Sequence, residues 1–256
     1  MVIRVGIVGA GNVATHLARG LYDSGCEIAA VCSRDPEHAA ILAARVGAEP
    51  ITDLSLMPAD LDFILISVSD ASVRNVARGL PDTNAIVAHT SGSVPMDALD
   101  RFANRAVFYP LQTFSRDVAV DLGQVPFFIE ASDPDALKNT EALAHRLSPA
   151  VHRADSAGRS LLHIAGVFAS NFTVYLLEQC REVLARGGYP LDVVRPLVEA
   201  TVAKAIQVGP EAAMTGPARR GDLEVCRRQA ERLTPEVRAV YELITRQIYR
   251  HYNECD

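Results

Sequence analysis

The segment from Val5 to Ala14 reads V-G-I-V-G-A-G-N-V-A and constrains the fold more than any other stretch of the chain. A short apolar run, Val2 to Val8, enters a glycine turn at Gly9 and Gly11. The chain then continues with apolar residues at helical spacing through Leu17 and Leu21. That order is strand, tight turn, helix, the opening of a βαβ unit. Gly9 permits the sharp turn, Gly11 lets backbone approach a phosphate closely, and Ala14 is small where helix must pack on strand. The unpaired amides and positive dipole end of the helix face the same point. Gly9, Ala10, Gly11, Asn12 and Val13 are therefore expected to hold the pyrophosphate of a dinucleotide. The competing reading is a turn that needs glycine only for its own geometry.

The tip of the second strand, Glu27 to Cys32, bears on which dinucleotide. An acidic residue roughly 20 positions past the glycines is the usual partner of a free ribose 2′-hydroxyl. Here Ser33 and Arg34 occupy that place. A guanidinium fork and a hydroxyl suit a 2′-phosphate instead. Asp35 follows, but Asp35-Pro36-Glu37 has the pattern of an N-cap, a proline at N1 and an acid in the first turn. The expected cofactor is NADP (NADPH).

The chain of 256 residues has room for one large domain or two modest ones. At 49% hydrophobic and 22% charged it is globular. No apolar run approaches transmembrane length and no basic segment precedes a signal-like one, so the expectation is a soluble, cytoplasmic protein without a membrane partner. The net charge of -6 and the absence of a basic stripe speak against nucleic acid. Cys26, Cys32, Cys180, Cys226 and Cys255 are scattered and form no C-x-x-C pair, the usage of a reducing compartment with no structural metal.

Up to about residue 154 apolar runs alternate with helical patterns. The expected strands are Val2–Val8, Glu27–Cys32, Asp62–Ser67, Ala85–Thr90, Ala106–Tyr109, Pro126–Glu130 and Ala150–Arg153. The expected helices between them include Pro36–Val46, Ala71–Leu80 and Pro134–Leu147. Near-continuous apolar runs such as Phe63–Ile66 indicate a sheet covered on both faces, hence a mostly parallel α/β domain. After residue 155 only helices are expected, over Leu161–Ala185, Leu191–Val208 and Pro235–Tyr252. The division is a dinucleotide-binding domain over 1–154 and an all-helical substrate and dimerisation domain over 155–256. The first long helix is apolar around much of its circumference, which predicts burial inside something larger. A homodimer through the helical domain would supply it.

Ligands in such sheets sit beyond the carboxyl ends of the strands. One strand ends in Ser67-Val68-Ser69-Asp70, expected to pass the nicotinamide, with Asp70 read as an N-cap. Another ends in His89-Thr90-Ser91-Gly92-Ser93, where His89 and Ser91 are cofactor-site candidates and the serines otherwise serve the turn. A third ends in Tyr109-Pro110-Leu111-Gln112-Thr113-Phe114. There Gln112 and Thr113 are substrate-binding candidates, and Tyr109 and Phe114 are read as wall. On the long helix, His163 and Asn171 are eight residues apart, within roughly 80° on an α-helix. Both are polar among apolar neighbours, and reduction by hydride requires a proton donor. His163 is the candidate general acid and Asn171 its positioning partner; a core His-Asn pair is the alternative. In the turn Thr215–Asp222, Arg219 is a candidate for a substrate carboxylate, and Asp222 reads as an N-cap.

Taken together, the glycine turn, H-T-S-G-S, Y-P-L-Q-T-F, H-x-A-x-V-F-A-S-N and T-G-P-x-x-R-G-D resemble the bacterial Rossmann-like, DUF2520-domain proteins, which are described as NADP-dependent oxidoreductases. More distantly the plan is similar to the superfamily of 6-phosphogluconate and β-hydroxyacid dehydrogenases, ketopantoate reductase, pyrroline-5-carboxylate reductase and prephenate dehydrogenase. The resemblance implies a dinucleotide domain followed by a helical, often dimeric one. It also implies that His163 stands where some of those enzymes carry a lysine, with Val167 and Asn171 one and two turns on. The expected activity is hydride transfer between nicotinamide and a small carbonyl, imine or hydroxy compound that bears a carboxylate, for which Arg219 is the candidate partner. Two rivals remain: a non-catalytic NADP(H)-binding redox sensor, and an oxidoreductase between NADP and a deazaflavin.

Overall fold

The computed structural model describes residues 2–254; Cys255 lies outside the described residues. The chain divides into two compact units, 1–170 and 171–256. The first carries one eight-stranded sheet in the order β3-β2-β1-β4-β5-β6-β7-β8. Its strands are β1 Arg4–Val8, β2 Glu27–Cys32, β3 Glu49–Ile51, β4 Phe63–Ile66, β5 Ile86–His89, β6 Arg105–Pro110, β7 Phe127–Ala131 and β8 Val151–Arg153. All neighbours are parallel except β6 and β7. The mostly parallel α/β sheet expected from the apolar runs is present. β4 and β5 are buried at every position, as strands covered on both faces must be.

The helices of this unit are α1 Asn12–Asp23, α2 Pro36–Val46, α3 Val73–Gly79, α4 Pro134–His145 and α5 Ser156–Gly166. α2 starts and stops where its capping residues predict. Asp35 accepts from the Glu37 and His38 amides at 3.0 and 3.2 Å, and Gly47 ends the helix at φ +64°. One strand was not foreseen: β3 contains Pro50, which suits only an edge position, and β3 is the edge. From β1 the chain winds one way through β2 to β3 and the other way from β4. The carboxyl ends of β1 and β4 therefore part at the switch point where such sheets bind ligands.

A buried ion pair locks α5 to the sheet. Arg159 is 1% exposed, and its Nη1 donates to Glu130 of β7 at 2.5 Å. Nη2 donates to the Val94 carbonyl at 2.6 Å and to Ser156 Oγ at 3.2 Å. Ser156 Oγ in turn donates to Glu130 at 2.9 Å and accepts from the Met96 amide at 3.2 Å. The strand β7, the loop after β5 and the first turn of α5 thus share one charge network.

A π-helical segment, Val167–Phe172, follows α5, and α6 Thr173–Ala185 opens the second unit. That unit continues through α7 Arg195–Val208, α8 Pro210–Ala213, α9 Pro217–Arg220, α10 Leu223–Ala230 and α11 Pro235–Asn253. Ser156–Ala185 is 30 residues long and contains an 18-residue window of mean hydropathy 1.5 in which no residue is buried. One expectation is corrected here: one helix does reach membrane-spanning length and composition. An uncovered apolar helix is the signature of a surface awaiting a partner.

Replacing Glu130 alone strands the buried guanidinium, so Glu130→Ala is expected to lower stability by about 3–5 kcal/mol. The double change Glu130→Leu with Arg159→Met should cost clearly less than the single. Denaturant unfolding of wild type and the two variants checks this, and a double variant weaker than the single would refute the charge-stranding account.

Candidate active site

A cavity of about 1220 Å³ opens at the carboxyl ends of the strands, entirely within the first unit. One end is built by the glycine turn. Gly9 sits at φ +114°, and a Cβ there would lie 2.2 Å from the Ser67 carbonyl oxygen, so only glycine fits. The Gly9 amide donates to the Cys32 carbonyl at 2.7 Å, and the Ser67 amide to the Val8 carbonyl at 2.7 Å. These bonds draw the tips of β1, β2 and β4 together. At Gly11 a Cβ would meet nothing within 4 Å; the space in front of it is open cavity. The first turn of α1 has no acidic residue and no side-chain cap. Its amides are thus left for an external anion. Ala14 is fully buried against the sheet. These features fit the pyrophosphate of a dinucleotide.

Ser33 and Arg34 line the same cavity at the tip of β2. Arg34 is exposed and has no carboxylate partner among the described residues. Asp35 is committed to capping α2. Thr52, Asp53 and Leu54 also line this end and were not foreseen. Asp53 accepts from the Ser55 amide at 2.9 Å, and that bond holds its carboxyl below the usual range. Ser67, Val68 and Ser69 follow along the wall. Asp70 caps no helix; it accepts from Ser93 Oγ and so joins the loops after β4 and β5.

At the opposite end stand Ser91, Gly92, Tyr109, Pro110, Gln112 and His163. Tyr109 Oη and His163 Nδ1 are 3.2 Å apart, with the rings edge to face at 6.1 Å. A Cβ on Gly92 would come within 2.6 Å of Tyr109 Cζ and 2.8 Å of His163 Nδ1. The glycine therefore exists for this pair to close over it. Burial, together with Asp70, pushes the Tyr109 hydroxyl above its usual range, so it stays protonated. Tyr109 had been read as wall. The signal for it was a tyrosine at a buried strand tip, directly before Pro110.

Several candidates lie elsewhere. His89 is fully buried and is not among the residues lining the cavity. Its Nδ1 accepts from the Ser91 amide at 3.3 Å, while Nε2 makes no hydrogen bond among the described residues. It shapes the loop instead of touching a ligand in the cavity. Thr113 is exposed, does not line the cavity, and its amide donates to Gln112 Oε1 at 2.7 Å. Asn171 is an exposed residue of the second unit within the π segment. The unbroken α-helical spacing assumed for His163 and Asn171 is therefore not met. Arg219, also in the second unit, donates to the Met214 carbonyl and lies over the Tyr252 ring at 4.9 Å. Asp222 precedes α10 without a side-chain cap and pairs with Arg220 at 3.0 Å.

The comparisons with known proteins agree with this geometry. Residues 125–248 match the family model described as a domain of unknown function, DUF2520. Residues 4–90 match the family described as NADP oxidoreductase, coenzyme F420-dependent. No curated protein matches the chain. A Bacteroides fragilis structure bearing the provisional name of an NADP oxidoreductase is 37% identical over 97% of this chain and 98% of its own, with a TM-score of 0.90. A Thermotoga maritima protein is 22% identical over 98% and 100%, TM-score 0.80. A reductive aminase from Aspergillus terreus, solved with NADPH and ethyl levulinate, shares the fold at 14% identity over 100% and 97%, TM-score 0.73. The fold and site define a Rossmann-type oxidoreductase. The chain belongs to the family of DUF2520-containing NADP oxidoreductases.

Burial, then the positive charge of Arg159, lowers the His89 pKa from 6.5 to about 4, against the pull of the Pro95 carbonyl and Asp70. The unfolded chain takes up this proton first, so His89 costs the fold stability as pH falls from 6.5 towards 4. Between pH 7 and pH 5 the loss is about 2 kcal/mol. His89→Gln should flatten that part of the melting-temperature profile. An unchanged slope would remove His89 as its origin.

Proposed function

We propose that the protein is an NADPH-dependent reductase of a small carbonyl or imine compound, or its dehydrogenase in reverse. The Tyr109–His163 pair, lining the same cavity as the glycine turn, carries this reading. The nicotinamide, when bound, supplies or accepts the hydride. The remaining tasks fall to the chain. Gly9 to Val13 would hold the pyrophosphate, Ser33 and Arg34 the 2′-phosphate, and Ser67, Val68, Ser69 and Ser91 the wall along the cofactor. Tyr109 keeps its own proton and can donate to His163 Nδ1. That bond favours the tautomer with the proton on Nε2. His163 Nε2–H is then the group that meets developing negative charge on a substrate oxygen or nitrogen. Gln112 is the remaining polar side chain at that end of the cavity. Arg34 is the one lysine or arginine among the described lining residues, so a substrate carboxylate finds no cation at the His163 end of this cavity.

The test begins with fluorescence titration of NADPH and NADH. NADPH is expected to bind at least about tenfold more tightly, and Arg34→Ala to erase the difference while sparing NADH. A carbonyl and imine screen with NADPH then follows. His163→Ala should cost about 10²–10⁴-fold in turnover with cofactor binding intact. Binding of NADPH without turnover of any compound would favour a redox-sensing protein. Reduction of NADP by a reduced deazaflavin alone would favour the coenzyme F420 activity named in the family model.

We also propose that the protein acts as a cytoplasmic homodimer through its helical unit. Leu197, Val202 and Ile206 of α7 are 66%, 47% and 81% exposed, and Val174, Tyr175 and Leu176 of α6 are 64%, 52% and 43% exposed. Exposed apolar side chains on two helices of one unit suit a second copy, because a twofold axis lets each copy cover the other. Sedimentation at micromolar concentration should give twice the mass of one chain, and Ile206→Asp should give monomer. A folded wild-type monomer would exclude the dimer, and solubility only in detergent would point to lipid.

A further inference from the structure

The connection from β6 to β7, residues 111–126, is tied along α1. Asn12 Nδ2 donates to the Phe114 carbonyl at 2.9 Å, and His16 Nε2 meets the Ser115 carbonyl at 2.9 Å. Phe114 is buried, its ring 5.1 Å from that of His16. Farther on, Leu122 packs against α1 at Gly20, where a Cβ would come 2.4 Å from Leu122 Cδ1. Both ends of this strap are anchored. Between them Arg116 reaches back to the glycine turn, its Nη2 donating to the Ala10 carbonyl at 2.7 Å.

Arg116 is exposed and does not itself line the cavity, but that contact sets its guanidinium against Ala10, which does, between the two glycines of the phosphate turn. The pyrophosphate bridge of a dinucleotide carries about two negative charges, while a helix N-terminus offers the equivalent of roughly half a positive one. No acidic residue of the first turn of α1 competes for the guanidinium. Arg116 has no carboxylate partner among the described residues. Its bond to Ala10 uses one of the donors of the fork and leaves the others for an anion. Arg34 stands at the tip of a different strand, so the two arginines address different parts of one ligand.

We propose that Arg116 is a cofactor-binding residue that closes the strap over the pyrophosphate. The assignment rests on the dinucleotide reading given above. It also explains why Asn12 and His16, polar residues of α1, are spent on the strap: they hold residues 114 and 115 so that Arg116 arrives over the turn.

Titration of NADPH and NADH against wild type, Arg116→Gln, Arg116→Lys and Arg34→Ala tests the assignment, with thermal melts to show that each variant is folded. Gln keeps an amide donor but carries no charge; Lys keeps the charge. Arg116→Gln should bind NADPH and NADH each about tenfold more weakly, with Arg116→Lys closer to wild type. Arg34→Ala should weaken NADPH alone. Wild-type affinity in Arg116→Gln for both cofactors would overturn the proposal and leave Arg116 a tether. Loss confined to NADPH would overturn it in favour of a 2′-phosphate contact. Failure of the wild-type protein to bind either cofactor would overturn the dinucleotide reading itself, and the proposal with it.

Discussion

The first unit depends on one buried ion pair. Without the Arg159–Glu130 contact, α5 would have only a short amphipathic face with which to grip the sheet, because most of its residues are partly or fully exposed. Desolvating a guanidinium costs several kcal/mol, and the cost is tolerable here because Glu130, the Val94 carbonyl and Ser156 Oγ share the charge. What the network achieves is placement. Arg159 lies one helical turn before His163, so fixing one fixes the other. The same guanidinium holds the backbone at Val94, two residues beyond Gly92, against which His163 packs. It also disfavours a proton on His89, so the loop after β5 keeps a neutral core.

The opposite end of the cavity is organised by backbone. Gly9 must adopt a left-handed conformation and pass within contact distance of Ser67, which pins β1 to β4 where the sheet reverses direction. Once that crossing is made, α1 can only begin at the cavity, with its uncapped amides facing it. The anion-binding character of the turn is a consequence of chain topology more than of any one side chain. Selectivity between cofactors is left to the exposed tip of β2.

How much of this was legible in the sequence follows from whether a feature is local. The glycine turn, the buried strands and the Asp35-Pro36 cap with Gly47 are local patterns, and they appear where the residues predict. β3 was hidden because Pro50 reads as a breaker until the strand is known to be an edge. α10 was announced only by Asp222, read as the cap of a following helix, because its own residues are too polar to show a core-facing stripe. The site residues fared according to the same division. Ser33, Arg34 and Ser91 follow directly from strand tips. His89 was misplaced because residues alternate faces along a strand, and the sequence does not say which face of the last residue looks into the cleft. Arg159, Tyr109 and Arg116 act through partners 29, 54 and 106 residues away, and no local pattern announces such contacts.

The two ends of the cavity call for opposite electrostatics, and the fold keeps them apart. Phosphates require fixed positive charge, and the glycine turn and Arg34 stand along β1 and β2. Proton donation to a substrate of low charge requires a group that holds its proton without a strong neighbouring cation. Tyr109 meets that requirement beyond β4 and β5: burial and Asp70 raise its hydroxyl against the lowering pull of Arg159, whose charge Glu130 offsets. An unpaired arginine at that end would pull the Tyr109 hydroxyl further down and favour its deprotonated form. The half-buried carboxylate of Glu130 therefore bears on the chemistry of the site even though it does not line the cavity. It lets a positively charged residue position the helix that carries His163 while offsetting part of the charge that reaches Tyr109 and His89.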